Sequence, residues 1–251
     1  MKAATVPAVV PANDVVNWGD SHRYSPAPRH RRRLLHRWID RLDFADVLDA
    51  GCAQPFLLRE VLARHAAEGF GCDVSEEVID ANRSVLPGCR FRTLDLTAEA
   101  WPDGRRFDLV ICSEVLEHLA DWPAAVANLV KMTRKNLLIT VPGGPLRTMD
   151  RTVGHLQHFR GPELIDELEK HGCRVARRLH WGWPMHSLYK ATISTLSPAV
   201  LYDAFSGGRP YGPGKRLFSD LLVGLFFVND LTRRGHQLLI HATAPATDDP
   251  R

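Results

Sequence analysis

Residues 46–55 read Asp-Val-Leu-Asp-Ala-Gly-Cys-Ala-Gln-Pro. The run 47–50 is apolar apart from Asp49, Gly51 breaks it, and residues 56–62 then place apolar side chains at helical spacing. This pattern predicts a buried parallel strand, a tight turn and a helix laid back on the sheet. Such a turn aims backbone N–H groups and the positive end of a helix into the space beyond the strand, where a carboxylate or phosphate is stabilised. A dinucleotide fingerprint would repeat its glycines as Gly-x-Gly-x-x-Gly. Here Gly51 is followed by Ala53 and Pro55, so the turn alone fits a ligand site and a plain strand-to-helix connection equally well.

The length of 251 residues suits one α/β domain with embellishments. A formal charge of +3 is too small to imply a polyanionic partner, so nucleic acid is not expected. Cys52, Cys72, Cys89, Cys112 and Cys173 fall in or beside predicted strands without a Cys-x-x-Cys pair. They read as small buried hydrophobes in a reducing compartment, neither a disulfide frame nor a zinc site. The longest apolar run, 221–228, is far short of the roughly 20 residues that span a bilayer. No signal peptide is apparent at the proline-interrupted N-terminus. The expectation is a cytoplasmic protein with no membrane partner.

Residues 1–28 are rich in Pro, Ala and Val without a period and read as an arm; 29–251 read as one domain. In the helix predicted from Arg29, Leu34, Leu35, Trp38, Ile39 and Leu42 form an apolar stripe, with Arg31, Arg32, Arg33, His36, Arg37 and Arg41 largely on the other faces. That basic face reads as solvated, as a contact for RNA or membrane, or as the source of an arginine for a ligand carboxylate at the adjacent turn. Residues 69–73 predict a second strand ending at Asp73, and Ser75-Glu76-Glu77 opens a helix that Pro87-Gly88 closes. Asp73 lies about 20 residues after Gly51, the offset at which an acid meets ribose hydroxyls in nucleotide-binding βαβ units. Capping of the next helix is its competing role. Further strands are predicted at 89–96, 107–112, 136–141, 175–180 and 237–243, with helices between them over 124–132 and from Gly161 to about Gly172. Strands alternating with helices imply a doubly wound sheet with ligands at the carboxyl ends of the strands. Residues 184–234 form an insertion carrying Tyr189, Tyr202, Phe205, Tyr211, Phe218, Phe226 and Phe227, with Ser206-Gly207-Gly208-Arg209-Pro210 inside it. It reads as helices that cover the site as a lid or form the surface of a homodimer.

Asp49-Ala50-Gly51-Cys52, Asp73, Asp95-Leu96 and Cys112-Ser113-Glu114-Val115-Leu116-Glu117-His118-Leu119 stand at successive predicted strand ends. With Gly154-His155-Leu156-Gln157-His158-Phe159, this series resembles the class I S-adenosylmethionine-dependent methyltransferases, in particular the small-molecule group that includes ubiquinone-pathway O-methyltransferases. The resemblance covers about residues 30–183 and the last strand. It implies an α/β, Rossmann-like sheet of seven strands with the last antiparallel, a helical insertion before that strand, and methyl transfer to a small-molecule acceptor, with S-adenosylhomocysteine as product. It also implies a cofactor site. Gly51 would let the backbone approach the methionine part, Asp73 would accept the ribose hydroxyls, Asp95 the adenine amino group with Leu96 N–H nearby, and Cys112, Ser113 and Glu114 would line the methionyl end, with Asp49, Cys52, Ala53 and Val74 also in the site. Ala53 and Pro55 depart from the family's glycines.

A positioned imidazole near neutral pKa is the natural base for an oxygen nucleophile. His155, His158 and His118 are the candidates, with plain structural hydrogen bonding as their alternative role. The string Glu-x-x-Glu-His with a later histidine is similar to the metal site of small-RNA 2′-O-methyltransferases, which would make Glu114, Glu117, His118 and His158 ligands of a divalent metal. Metal-free relatives carry the same string, and the metal is the less favoured reading. Methylation of RNA and a non-catalytic cofactor-binding subunit remain the alternatives to a small-molecule enzyme.

Overall fold

The computed structural model describes residues 19–196 and 210–245. Seven strands form one sheet: β1 (Asp46–Ala50), β2 (Glu68–Asp73), β3 (Arg90–Thr93), β4 (Phe107–Ser113), β5 (Thr133–Pro142), β6 (Arg174–Trp181) and β7 (Gln237–Thr243). Their order is β3-β2-β1-β4-β5-β7-β6. Strands β1 to β5 pair in parallel, and β7 runs antiparallel between β5 and β6. The order reverses between β1 and β4, which opens a crevice beyond their carboxyl ends.

Alternate side chains of each strand feed opposite layers. Leu48, Ala50, Val110 and Cys112 pack with helices α5 (Trp122–Met132) and α7 (Gly161–Lys170). Val47, Leu109 and Ile111 pack on the other face with α2 (Pro26–Ile39), α3 (Phe56–Leu62) and α4 (Glu76–Val85). The stripe Leu34, Leu35, Trp38 and Ile39 is buried as its spacing predicts. All five cysteines are free, four of them buried. No helix among the described residues is long and apolar enough to cross a membrane.

Three expectations change. The arm expected over 1–28 ends earlier, because α1 (Gly19–Tyr24) and the start of α2 occupy its last third; residues 1–18 lie outside the described part. Pro26 and Pro28 open α2, where a missing N–H costs no helical bond, so the prolines mark a helix start. Strand β5 begins at Thr133, before its apolar run, because Arg134 and Lys135 are drawn onto Asp108 of β4 at 2.7 and 3.1 Å. The basic face of α2 is also less solvated than its composition suggests: Arg32 binds Glu60, while Arg33 and Arg37 bind Asp230. Within the insertion, α8 (Met185–Ile193) and α9 (Pro213–Phe226) are helical, and α9 packs on α2. Tyr202, Phe205 and residues 206–209 lie outside the described part.

Candidate active site

The first turn is tightly built. Gly51 has φ +74°, and a Cβ there would lie 2.4 Å from Val115 Cγ2, so the loop after β4 itself requires glycine at this position. The N–H groups of Gly51 and Cys52 both donate to the Cys72 carbonyl at 2.8 Å. Ala53 adopts φ +40° without being glycine. Its N–H donates to Asp73 Oδ2 at 2.9 Å, and its carbonyl accepts from Asn82 Nδ2 at 2.7 Å. Two side chains thus hold the conformation that a family glycine would adopt freely.

The acids stand at neighbouring strand ends. Asp73 also accepts from Ser75 N–H at 3.1 Å, while Ser75 Oγ caps α4 through Val78 N–H. Asp73 is therefore built into the turn, and its carboxylate oxygens have capacity for a second donor each. Asp95 Oδ1 accepts from both the N–H and the Oγ1–H of Thr97, at 2.8 and 2.7 Å. Leu96 is buried beside it, and Val74 is 57% exposed. Asp49 is buried below the turn. Burial first, and then the charge of Asp73, push its carboxyl up to about 7, against a donated hydrogen bond from Leu58 N–H.

At the tip of β4, Cys112 is fully buried and its thiol is held well above its ordinary range, chiefly by burial. Ser113 Oγ meets Thr140 Oγ1 at 2.9 Å, and Thr140 Oγ1 donates to Glu114 Oε1 at 3.0 Å. The other oxygen of Glu114 binds Arg31 Nη1 of α2 at 3.0 Å. The arginine from the basic helix does reach the crevice, and its carboxylate partner is the protein's own.

Glu117 is 0% exposed, and among the described residues no other residue offers its carboxylate oxygens a hydrogen bond. Burial, reinforced by Glu114, raises its carboxyl well above the ordinary range. Around it stand the expected histidines. His118 Nδ1 lies 3.2 Å from the Gly154 carbonyl, His158 Nδ1 lies 3.0 Å from the Gly144 carbonyl, and His155 Nδ1 lies 3.1 Å from His158 Nε2. A carbonyl only accepts, so His158 donates through Nδ1 and its Nε2 must accept from His155. That order leaves the lone pair of His155 on Nε2, which faces Glu117 Oε1 at 3.9 Å. The same reasoning leaves the lone pair of His118 on Nε2.

Burial, the largest cause in each case, lowers all three imidazoles: His155 falls to about 2, and His118 and His158 shift the same way. Burial thus opposes charging of all three rings. They present neutral lone pairs. The four residues singled out as metal ligands do not meet as four. Glu114 is held by Arg31 and Thr140, and His158 is turned to Gly144 and His155. Among the described residues, the ligand atoms that do lie within 4.8 Å of one another are those of Glu117, His118 and His155, and of Asp150, His155 and His158.

Sequence reasoning passed over Asp150 and Lys190. Asp150 is buried in α6 (Thr148–Thr152), accepts from Arg147 N–H at 2.8 Å, and pairs with Lys190 of α8 at 2.8 Å. Asp150 looks like an ordinary first-turn acid, and only the folded insertion brings Lys190 to it.

Residues 27–178 match a family model described as a methyltransferase domain. The ubiquinone biosynthesis O-methyltransferase of Coxiella burnetii (strain Dugway 5J108-111) is 33% identical over 129 residues, 49% of this chain and 51% of that protein. The chain spans about half the length of the curated relatives it matches first. Among solved structures, the N-methyltransferase NodS from Bradyrhizobium japonicum WM9, in complex with S-adenosylhomocysteine, is similar with a TM-score of 0.56 at 15% identity, over 90% of this chain and 91% of that one. The [4+2]-cyclase SpnF aligns with a TM-score of 0.60 at 15% identity, over 96% and 93%. At such identities these likenesses are of fold. Because the family match runs from α2 into β6 and so takes in every strand but the last, the chain belongs to the methyltransferase domain family, as a class I S-adenosylmethionine-dependent member.

Proposed function

We propose that this protein transfers the methyl group of S-adenosylmethionine to a hydroxyl oxygen of a small molecule. The observation that carries the reading is the convergence of Glu117, His118 and His155 beside the tip of β4, three groups that together present lone pairs to whatever enters. A hydroxyl entering there can donate its hydrogen bond to one of these acceptors, which orients its oxygen for attack. The Coxiella relative, an O-methyltransferase by name, points the same way.

In this reading Asp73 accepts the ribose hydroxyls, Asp95 the adenine amino group, and Asp49 faces the positively charged methionyl end, with Gly51, Cys52, Ala53 and Val74 along one side and Leu96, Cys112, Ser113 and Glu114 along the other. The sulfonium is already a strong electrophile, so alignment is the main task, and fixing two partners at near-attack distance can supply several kcal/mol, about 7 at the lower end. The O–C bond forms as the C–S bond breaks, the electron pair stays on sulfur, and the hydroxyl's proton passes to solvent water, since the buried imidazoles hold a proton too weakly to keep it. His158 is a positioning residue that fixes the tautomer of His155. Lys190 of α8 ties the insertion to Asp150 beside these histidines.

The arginines of α2 favour a small acceptor over RNA, since binding phosphates would mean breaking their ion pairs with Glu60 and Asp230. The test is transfer of labelled methyl to a panel of hydroxylated, amine and carbon acceptors and to total RNA. Products bearing new methyl ethers support the proposal; methylation confined to nitrogen, carbon or RNA sinks it.

A further inference from the structure

The large apolar side chains left exposed are not scattered over the molecule. Of the twelve among the described residues, nine lie between Trp183 and Leu231, which singles out the insertion before the last strand. Four of the nine stand on α9: Leu217, Phe218, Leu221 and Leu225, each 53–63% exposed. At the helical repeat these positions share an arc of about 100°. The buried residues of α9 take the opposite side, where Phe226 packs edge-on to His30 of α2 and Ser219 Oγ donates to the Tyr24 carbonyl. One face of the helix is thus satisfied by the protein, and the other is a bare apolar stripe. The turn Phe227–Leu231 continues α9 and ends at Leu231, 82% exposed. Single exposed leucines are ordinary on a protein surface, whereas a continuous stripe marks a contact.

The charges around the stripe select its partner. Lys215 and Arg216 stand at the start of α9, Arg233 and Arg234 just past Leu231, and the acids of the same stretch are Asp220 and Asp230. Both acids are already neutralised from α2, Asp220 by Arg29 and Asp230 by Arg33 and Arg37. Arg216 is exposed and reaches Asp20 no closer than 3.5 Å. Arg233 and Arg234 are exposed and form no ion pair among the described residues. We propose that the bare face of α9 lies in the surface of an anionic lipid bilayer, with its leucines and Phe218 below the headgroups and the two basic pairs on lipid phosphates. An apolar helix face bounded by cations is the pattern of a helix lying in the interface plane, and each cation near an anionic surface adds attraction. A second copy fits less well. Two-fold pairing across this face sets basic end against basic end, whether the helices run parallel or antiparallel. The contact is peripheral, since no described helix is long and apolar enough to cross a membrane. The expectation of no membrane partner rested on the lack of a spanning run, which a helix lying flat does not need. The family match ends at residue 178, so this surface belongs to the part of the chain that the match leaves out, and it holds whichever acceptor is methylated.

The test is flotation of the full chain with vesicles of phosphatidylcholine mixed with phosphatidylglycerol, and with vesicles of phosphatidylcholine alone. Binding to the mixed vesicles is expected, about 10-fold weaker on the neutral ones and falling with added salt. Phe218→Ser combined with Leu221→Ser should weaken it about 100-fold through lost apolar burial. Arg233→Gln combined with Arg234→Gln should weaken it about 10-fold. Val85→Ser, which alters an exposed apolar residue outside the insertion, should leave binding intact. Thermal unfolding and binding of S-adenosylhomocysteine by each variant separate loss of the surface from loss of the fold. Failure to float with the mixed vesicles, or flotation indifferent to the Phe218 and Leu221 substitutions, overturns the proposal. Equal binding to both kinds of vesicle overturns it too, because the basic pairs would then have no role. A dimer that ignores vesicles and that Phe218→Ser with Leu221→Ser dissociates would give the face to a second copy instead. None of these readouts depends on methyl transfer, so the proposed function stands or falls separately.

Discussion

Arg31 Nη1 of α2 lies 3.0 Å from Glu114 Oε2 at the tip of β4. A helix that precedes the sheet in sequence thereby closes one side of the crevice at the strand where the order reverses. Both side chains are mostly buried, at 14% and 18% exposure, so the pair is poorly screened. Arg31→Ala leaves Glu114 without its cation and close to Glu117, whose carboxyl Glu114 already pushes upward. The expected loss of stability is about 2 kcal/mol, the usual worth of a hydrogen bond to a charged group. Glu114→Gln in the same background should recover part of it. Urea unfolding of the two single variants and the double variant measures the coupling, and strictly additive losses would contradict it.

Gly51→Ala should be among the most damaging single changes in the chain. The new methyl would lie 2.4 Å from Val115 Cγ2, on a backbone at φ +74° that disfavours any side chain. Overpacking of this kind costs about 1–3 kcal/mol, and the left-handed backbone adds about 1 more. Val115→Ala removes the two methyl groups that crowd the site, so Gly51→Ala combined with Val115→Ala should recover the packing part and keep the backbone part. Thermal unfolding of the pair separates the two contributions, and an equally damaging double variant would assign the whole effect to the backbone.

Cofactor affinity should rise with pH through about 7, where Asp49 titrates in the free protein. The ligand carries a positive sulfonium and a positive ammonium, so it binds the ionised acid better and displaces a proton when it binds below that pH. Folding runs the other way. The carboxyl is raised from 3.8 to about 7, so its contribution to stability is fully present below 3.8 and is lost as pH rises through about 7. Asp49→Asn should flatten both profiles, leaving a protein relatively more stable at pH 8 and weaker in cofactor binding. Calorimetry in buffers of different ionisation enthalpy reads the displaced proton directly, and proton uptake on binding would refute the assignment.

The sheet was largely legible because its strands are short apolar runs bounded by glycine, proline and acids, and Gln237–Thr243 matches its predicted range at both ends. The acids at the strand ends were legible for the same reason, since a polar residue closing an apolar run has few other places to be. What escaped reading depended on contacts between segments distant in sequence. Nothing local to Arg31 separates it from its arginine neighbours, and its partner Glu114 is 83 positions away. The resemblance put Glu114 among possible metal ligands, and only the fold shows Arg31 and Thr140 on its oxygens. The depressed pKa of His155 likewise comes from burial, and burial is a property of the assembled site.

The turn at Ala53 offers the sharpest test of how this chain does without its family's second glycine. Asn82 is 2% exposed, donates to the Ala53 carbonyl at 2.7 Å and reaches Cys52 Sγ at 3.5 Å, while Asp73 takes the Ala53 N–H. Asn82→Ala removes one clamp from a backbone at φ +40° and should weaken cofactor binding by releasing the turn. Adding Ala53→Gly should restore it, because glycine adopts that conformation without support. Asp73→Asn differs, since in the proposed reading it removes the charge for the ribose hydroxyls as well as a clamp, and should weaken binding roughly 10-fold. Ala53→Gly should not rescue that loss. Dissociation constants for S-adenosylhomocysteine across these five proteins, parent included, decide the matter: equal rescue of both variants would reduce Asp73 to a brace for the turn, and rescue of neither would remove the clamp at Ala53 from the account.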